Sequence, residues 1–580
     1  MRNRAAVLGI CLGVLLAPLG CAMAAEADLV LYNGHVITVD PQFSIQSAVV
    51  VKDGKIIAVG GADLVKTYHA PTRIDLHGKT LMPGFEDTHL HPMGKSPRDI
   101  EATAAHSIAE LQQMLRAKAR QLGPGQWITG GGWQEVQFKE NRNPTREDLD
   151  VAAPDNPVVL TRAGGHSSVG NSMALKLAHI DSKTPDPASG LIEHNSNGEP
   201  NGIIRERSDL YRKLVPQDKW EDVKQSYVDR LRWLLSLGIT SFFDASGTID
   251  DEPVGQGGIA DPPPGLTFRR AREIYAEQHN ALPRVTMYIS YPGPERLRAF
   301  GHHTGYGDEF VRIGPIGENA VDGGFTGPTA WLLADYKGQP GFRGKGRFSD
   351  AQLQAMVDDA GRLGWQMGLH CIGDAAIVQT IQAYDKGLRA SDGQEHTGSD
   401  RRWFTDHFTI MPPDATMQVM RRDNIMIAQQ PNFEYDLEDR YEQTLDAWRL
   451  EHNNPVATPS QKFHLFVTFG SDNLPIGPMV GLYAAVTRKG RSGEVHGAEE
   501  AVARETAIRM YTAAGAYLSW EEKVKGTLEV GKVADMIVLS GDPLTVPAEQ
   551  LLDTKVDLTF VNGKLVFERG KTAVAELSAL

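Results

Sequence analysis

Apolar and polar positions along the chain fall into two recurring periods. Eight short apolar runs read as strands, at residues 80–91, 239–244, 284–289, 310–322, 366–371, 403–408, 425–430 and 465–472. Most are separated by segments of helical period. Residues 350–363 set apolar side chains at helical spacing with charges between them, and 375–387 do the same. Strands that alternate with helices predict an α/β fold with a parallel sheet. Eight such strands predict a closed (β/α)8 TIM-type barrel.

Both ends of the chain follow the strand period instead. Residues 28–39 and 47–60 alternate apolar and polar positions, with turns at Asn33-Gly34 and Asp53-Gly54. Short strands return at 536–539, 558–561 and 565–568, with a turn at Asn562-Gly563. The two ends predict one small β-sandwich built from residues 25–80 and 525–580, flanking a barrel at 81–524. Residues 95–230 exceed what a barrel connection needs. They contain a helical stretch at 107–122 and a strand at 157–161, which predicts an inserted subdomain after the first barrel strand. Residues 250–264, rich in Gly, Pro and Asp, read as a loop at the top of the barrel.

Composition narrows the function. A hydrophobic fraction of 41% with 23% charged residues is that of a globular protein with sizeable cores. The net charge of -14 opposes binding to nucleic acid or to an anionic membrane surface. No phosphate-cradling glycine motif stands out, which argues against nucleotide cofactors. Arg2 and Arg4, the apolar run 5–19 and Ala22-Met23-Ala24 read as a signal peptide cleaved after Ala24. That places the mature chain in the periplasm or outside the cell. The rival reading is a lipid anchor on Cys21, against which stands Pro18, where such signals usually carry Leu. The run is shorter than the roughly 20 residues of a membrane span. Cys11 and Cys21 lie in this segment, so the mature chain keeps only Cys371 and has no intramolecular disulfide.

The candidate chemistry lies at the ends of the strand-like runs. His89 and His91 are two residues apart, so an extended strand points both imidazoles to one face, as a metal ion requires. Glu318, His370, His407 and Asp472 stand in or at the ends of four other runs. In a barrel of this kind the catalytic groups come from the C-terminal ends of several strands.

These pieces also carry a resemblance. Pro83-Gly84-Phe85-Glu86-Asp87-Thr88-His89-Leu90-His91, Gly238-Ile239-Thr240-Ser241-Phe242-Phe243-Asp244 and His370-Cys371-Ile372-Gly373-Asp374 are its first parts. Asp406-His407, Gln429-Gln430-Pro431, Gly470-Ser471-Asp472 and Gly526-Thr527-Leu528-Glu529-Val530-Gly531 follow in order. Together they resemble the amidohydrolase superfamily, and within it the YtcJ-like branch of the family 3 amidohydrolases. The resemblance implies the same barrel, sandwich and insert, with the insert covering the active-site mouth.

It also implies a metal-dependent hydrolase. Imidazoles and carboxylates without thiolates suit two Zn²⁺ ions, or Mn²⁺, Fe²⁺ or Ni²⁺ in their place. His89, His91 and Asp472 would hold one ion, and His370 and His407 the other. Two ions about 4 Å apart need a negative bridge. Many relatives use a carboxylated lysine on the fourth strand, and Glu318 stands at the corresponding place, four residues before Asp322-Gly323. Two readings of Glu318 stay open: the bridge, or a rim residue of a one-metal site. A metal lowers the pKa of a bound water to about 7, and Asp472 would take its proton and pass it to the leaving group.

From the insert, Trp133, after Gly130-Gly131-Gly132, offers an aromatic wall, and the resemblance offers His166, Asn171 and Glu206 as substrate contacts, with packing as the alternative for each. The expected reaction is cleavage of a non-peptide C–N bond, foremost the amide of an N-acyl or N-formyl compound. A ring deaminase is the first alternative. Such relatives carry a glutamate three residues after the fifth-strand histidine, where this chain has Gly373. Ester, lactone or carbamate hydrolysis and a non-catalytic exported binding protein are the others. Expected partners are a small-molecule substrate and, as in relatives, a second copy in a homodimer.

Overall fold

The computed structural model describes residues 25–571, except Met93, Gly164 and residues 188–189, 251–265 and 393–399. The signal segment and most of the expected loop at 250–264 therefore lie outside the described residues. Eight parallel strands form one sheet: β1 (Phe85–Leu90), β2 (Ile239–Asp244), β3 (Arg284–Ile289), β4 (Val311–Gly317), β5 (Met367–Cys371), β6 (Phe404–His407), β7 (Met426–Gln429) and β8 (Val467–Phe469). They are hydrogen-bonded in sequence order. Contacts from β8 to β1 nearly close the barrel: the Thr88 and Thr468 hydroxyls lie 2.9 Å apart, and the Asp472 N–H donates to the His89 carbonyl at 2.7 Å.

The strands are buried on both faces, so they read as continuous apolar runs rather than strict alternations. One face packs on the surrounding helices. Phe85, Val285, Ile313, Leu369 and Phe469 share a core with Leu231, Ile274, Val357 and Ile377. The other face fills the barrel. Phe243 and Tyr288 from β2 and β3 belong to one cluster with Phe404, Met426 and Ala428 from β6 and β7. Strands on opposite sides of the barrel meet only through its interior.

Two further sheets pack beside the barrel. One holds Lys55–Gly60, Ala48–Lys52, Leu29–Tyr32 and Thr72–Asp75; the other runs from Lys564–Glu568 through Val556–Val561, Met536–Leu539, Thr80–Pro83 and His35–Ile37 to Ile45–Gln46. Leu31, Val49, Leu81, Val538 and Phe560 form a shared core between them. The run at 80–91 is thus two strands rather than one. Thr80–Pro83 pairs with Met536–Leu539 in the outer sheet, and β1 begins only after Gly84. The apolar run is unbroken because both halves are buried, which hid the junction.

A six-stranded sheet of the inserted region spans Asp99–Glu101 to Pro200–Arg205. Its helix Ile108–Leu122 is capped by the Ser107 hydroxyl, which accepts from the Glu110 N–H. The insert ends earlier than residue 230. Helix Trp220–Ser236 packs on the barrel core through Leu231, Leu234 and Leu235 and leads into β2. An ion pair and a hydrogen bond hold the insert against the helices that follow β7. Arg162 bonds Glu135 at 2.7 Å, Glu135 pairs with Arg440, and Gln134 bonds Asp436. Among the described residues, no helix is long and apolar enough to cross a membrane.

Candidate metal centre

Six side chains meet where β1, β4, β5, β6 and β8 end. His89 and His91 close β1, Glu318 follows β4, His370 lies in β5, His407 ends β6 and Asp472 follows β8. Glu318, His407 and Asp472 have left-handed backbones, with φ of 54°, 70° and 53°. Non-glycine residues adopt this region at a cost, and such strain gathers at functional sites. Here it turns each side chain out of its strand direction at the barrel mouth. Close approach of the backbone helps: a Cβ on Gly470 would lie 2.6 Å from the His89 nitrogen, so only glycine lets the end of β8 pass there.

Glu318 is the hub. One carboxylate oxygen is 3.9 Å from both His89 Nε2 and His407 Nε2. The other is 3.8 Å from His91 Nε2 and 3.3 Å from His370 Nδ1. His91 Nε2 also lies 3.6 Å from Asp472. Most of these separations exceed a hydrogen bond yet suit atoms that share a cation.

The opposite sides of three rings are fixed. His89 Nδ1 meets Asp406 at 3.1 Å, His91 Nδ1 meets the Ser246 hydroxyl at 2.8 Å, and His407 Nδ1 donates to Gln430 at 2.8 Å. Asp406 also accepts from the Tyr288 hydroxyl at 3.0 Å. Holding Nδ1 in this way leaves Nε2 as the free ligand atom. The Nε2 atoms of His89, His370 and His407 and one Glu318 oxygen are buried without any hydrogen-bond partner. Buried polar atoms are rarely orphaned, and cations held by these residues would satisfy them. Three overlapping groups, His89/His407/Asp472, His89/His91/Glu318 and Glu318/His370/His407, are compact enough to hold an ion.

The electrostatics agree. Burial pushes the Glu318 carboxyl up, but the facing His89 and His370 outweigh it and hold the group well below the usual range. Burial opposes a charge on His89, yet Asp406 and Glu318 push its pKa up to about 10. Burial, aided by His407, pushes His370 down to about 3. The cluster thus gathers negative charge around one protonated ring, and a metal would displace that proton.

Of the four insert residues, His166 and Glu206 stand beside this cluster. The His166 ring centroid is 6.1 Å from that of His370, and its Nδ1 is 3.1 Å from Glu206. Trp133 and Asn171 do not. Trp133 is buried among Ile100, Leu111 and Leu160 in the insert's own core, its indole N–H on Asn143. Asn171 caps helix Ser172–Leu177 and has its amide filled by Ala174, Val158, Ala153 and Asn156. Both are packing residues, and Asn171 carried the signal of an N-cap: an Asn ahead of a helix. The sequence reading missed Asp406, Tyr288, Ser246 and Gln430, which orient the rings. Asp406 precedes a candidate ligand, but its contacts to His89 and Tyr288 span long stretches of chain. One more group, Glu438, Glu442 and His496, lies apart and is satisfied internally, with both Glu438 oxygens taken by Ser492.

A parallel barrel with imidazoles and carboxylates gathered at the C-terminal ends of its strands defines a metal-dependent hydrolase. The comparisons specify it. The Amidohydrolase family matches residues 72–567. YtcJ of Bacillus subtilis (strain 168) is 27% identical over 556 residues, covering 93% of this chain and 99% of its own. The N-substituted formamide deformylase of Arthrobacter pascens is 27% identical over 571 residues, covering 94% and 99%. A crystal structure of an uncharacterized metal-dependent hydrolase from Pyrococcus horikoshii OT3 shares the fold, with a TM-score of 0.67 at 24% identity over 90% of this chain and 99% of that one. The chain belongs to the amidohydrolase family, as metal-dependent hydrolases acting on carbon–nitrogen bonds.

Proposed function

We propose that the protein is an exported hydrolase that cleaves the amide bond of a small N-acyl or N-formyl compound, with two divalent ions, most suitably zinc, at the barrel mouth. The observation that carries this reading is the set of orphaned atoms on His89, His370, His407 and Glu318 in one buried cluster, where the His89 and His407 Nε2 atoms both face the Glu318 oxygen at 3.9 Å. His89, His91 and Asp472 would hold one ion and His370 and His407 the other, with Glu318 between them. Divalent ions held there would supply Lewis acidity and lower the pKa of a water towards about 7.

The chain's own groups do the rest. Asp472 stands at the rim, 3.6 Å from His91 Nε2, where it can accept the water's proton and deliver it to the leaving nitrogen. Asp406, Ser246 and Gln430 keep the imidazoles aimed, so little reorganisation is needed during the reaction. The name of the formamide deformylase relative makes N-formyl amines the first class to screen. A ring deaminase is disfavoured locally: a side chain at Gly373 would fall on the Trp331 carbonyl.

The test is a hydrolysis screen of metal-loaded mature protein on N-formyl and N-acyl amines, carbamates and lactones. Preferential amide cleavage is expected; a metal-replete protein that cleaves only lactones, or nothing, contradicts the reading. Export is tested by mass spectrometry. A soluble chain beginning at Ala25 is expected, and a full-length cytoplasmic product or a lipidated Cys21 overturns it.

A further inference from the structure

The groups around His166 hold it in a defined state. Glu206 receives three donors: His166 Nδ1 at 3.1 Å, the Thr329 hydroxyl at 2.5 Å and Arg347 at 2.5 Å. An ionised carboxylate only accepts hydrogen bonds. The proton shared with His166 therefore sits on Nδ1, and in the neutral ring Nε2 carries the lone pair. That Nε2 has no hydrogen-bond partner among the described residues, although the residue is only 5% exposed. Space is kept for it: a Cβ on Gly324 would come within 2.8 Å of Nε2. Glu206 itself has a left-handed backbone with φ of 58°, like Glu318, His407 and Asp472. Its hydrogen bonds join the insert to the barrel mouth, because Thr329 and Arg347 come from the segment after β4.

We propose that His166 is a specificity-determining residue: its free Nε2, held as an acceptor by Glu206 and Arg347, takes a hydrogen bond from an N–H of the substrate, so the site favours secondary amides over their N-alkylated tertiary counterparts. The proposal rests on the amide-hydrolase reading above. A tertiary amide offers no N–H and leaves Nε2 without that donor. Loss of one hydrogen bond in a site arranged to accept it costs about 10–100-fold in selectivity. Glu206 and Arg347 act through His166 and are positioning residues.

The experiment compares matched pairs, an N-formyl primary amine and its N-methyl derivative, each corrected for its rate of alkaline hydrolysis. Metal content is measured for every sample. The expected result is a kcat/KM about 10–100-fold higher for the secondary amide in the wild type. His166→Phe should lose that factor on the secondary amide, change the tertiary amide little and bring the ratio near one. Glu206→Gln should shrink the ratio in the same direction, because the ring is freed to adopt the other tautomer. Equal rates for the corrected pair in the wild type overturn the proposal without any variant. A His166→Phe enzyme that keeps the wild-type ratio does so too. If neither amide is cleaved by metal-replete wild type, the amide-hydrolase reading itself fails, a different outcome from either of these.

Discussion

At the floor of the barrel, the Lys525 ammonium lies 2.8 Å from Glu86 and 3.1 Å from Glu521, with Arg312 on Glu521 and Ser519 on Glu86. At the mouth, His89, His370, His407 and Glu318 are as deeply buried, yet each leaves an atom without a partner. The floor cancels its charges within the chain. The mouth faces like atoms of several rings and a carboxylate towards one space. The backbone differs in the same sense: Glu318, His407 and Asp472 are left-handed, whereas Lys525, Glu86 and Glu521 are not. An unpaired buried group costs about 1–3 kcal/mol, and strained residues add to that. Unpaired imidazole and carboxylate atoms gathered on neighbouring residues mark the end built for a ligand, while the other end is built for stability.

Substitutions at the two ends should separate these roles. The largest effect is expected at the mouth and in rate alone. Asp472→Asn should lower kcat by about 10²–10⁴-fold while the thermal midpoint of the metal-replete protein stays near wild type. Near-wild-type turnover with matched metal content would remove Asp472 from the chemistry. At the floor, Lys525→Met leaves Glu86 buried without its cation and Glu521 with Arg312 alone, and breaking such a pair costs about 3–5 kcal/mol. Denaturant unfolding should show a large loss, with metal content per folded chain unchanged. The same assay on metal-free Glu318→Ala should show little loss or a gain, since the cluster is unsatisfied without an ion. Equal destabilisation by both variants would erase the distinction between the ends.

A smaller, pH-dependent effect is expected where the insert meets the mouth. Burial raises the pKa of Glu206, but His166 and Arg347 outweigh it and bring the group from its ordinary 4.5 to about 2. A depressed folded pKa means that the stabilisation is full above the unfolded value and fades as pH falls through the folded one. The difference in unfolding midpoint between wild type and Glu206→Gln should therefore be constant above about pH 5 and shrink from there towards pH 2. A gap that ignores pH would show that Glu206 contributes through shape rather than charge.

Much of this architecture was readable in residue order. The eight strands and their helices follow from apolar period, and the six mouth residues from their places in or just after strands. Three things were not readable. The junction at Gly84 was hidden because Thr80–Pro83 and Phe85–Leu90 are both buried and apolar. Trp133 looked like a mouth residue because it follows a glycine run, and Asn171 because its segment resembles one of the family's, but packing and capping inside the insert consume them. The roles of Asp406, Tyr288 and Arg347 depend on contacts across 317, 118 and 141 residues of chain, which no local pattern encodes.

The central claim is that the unpaired atoms at the mouth are metal ligands, and direct metal analysis tests it. Mature protein, loaded with zinc and dialysed, should retain close to two ions per chain, and Glu318→Ala prepared in parallel should retain fewer. Only trace metal in the loaded wild type, or a full complement with wild-type turnover in Glu318→Ala, would contradict the account.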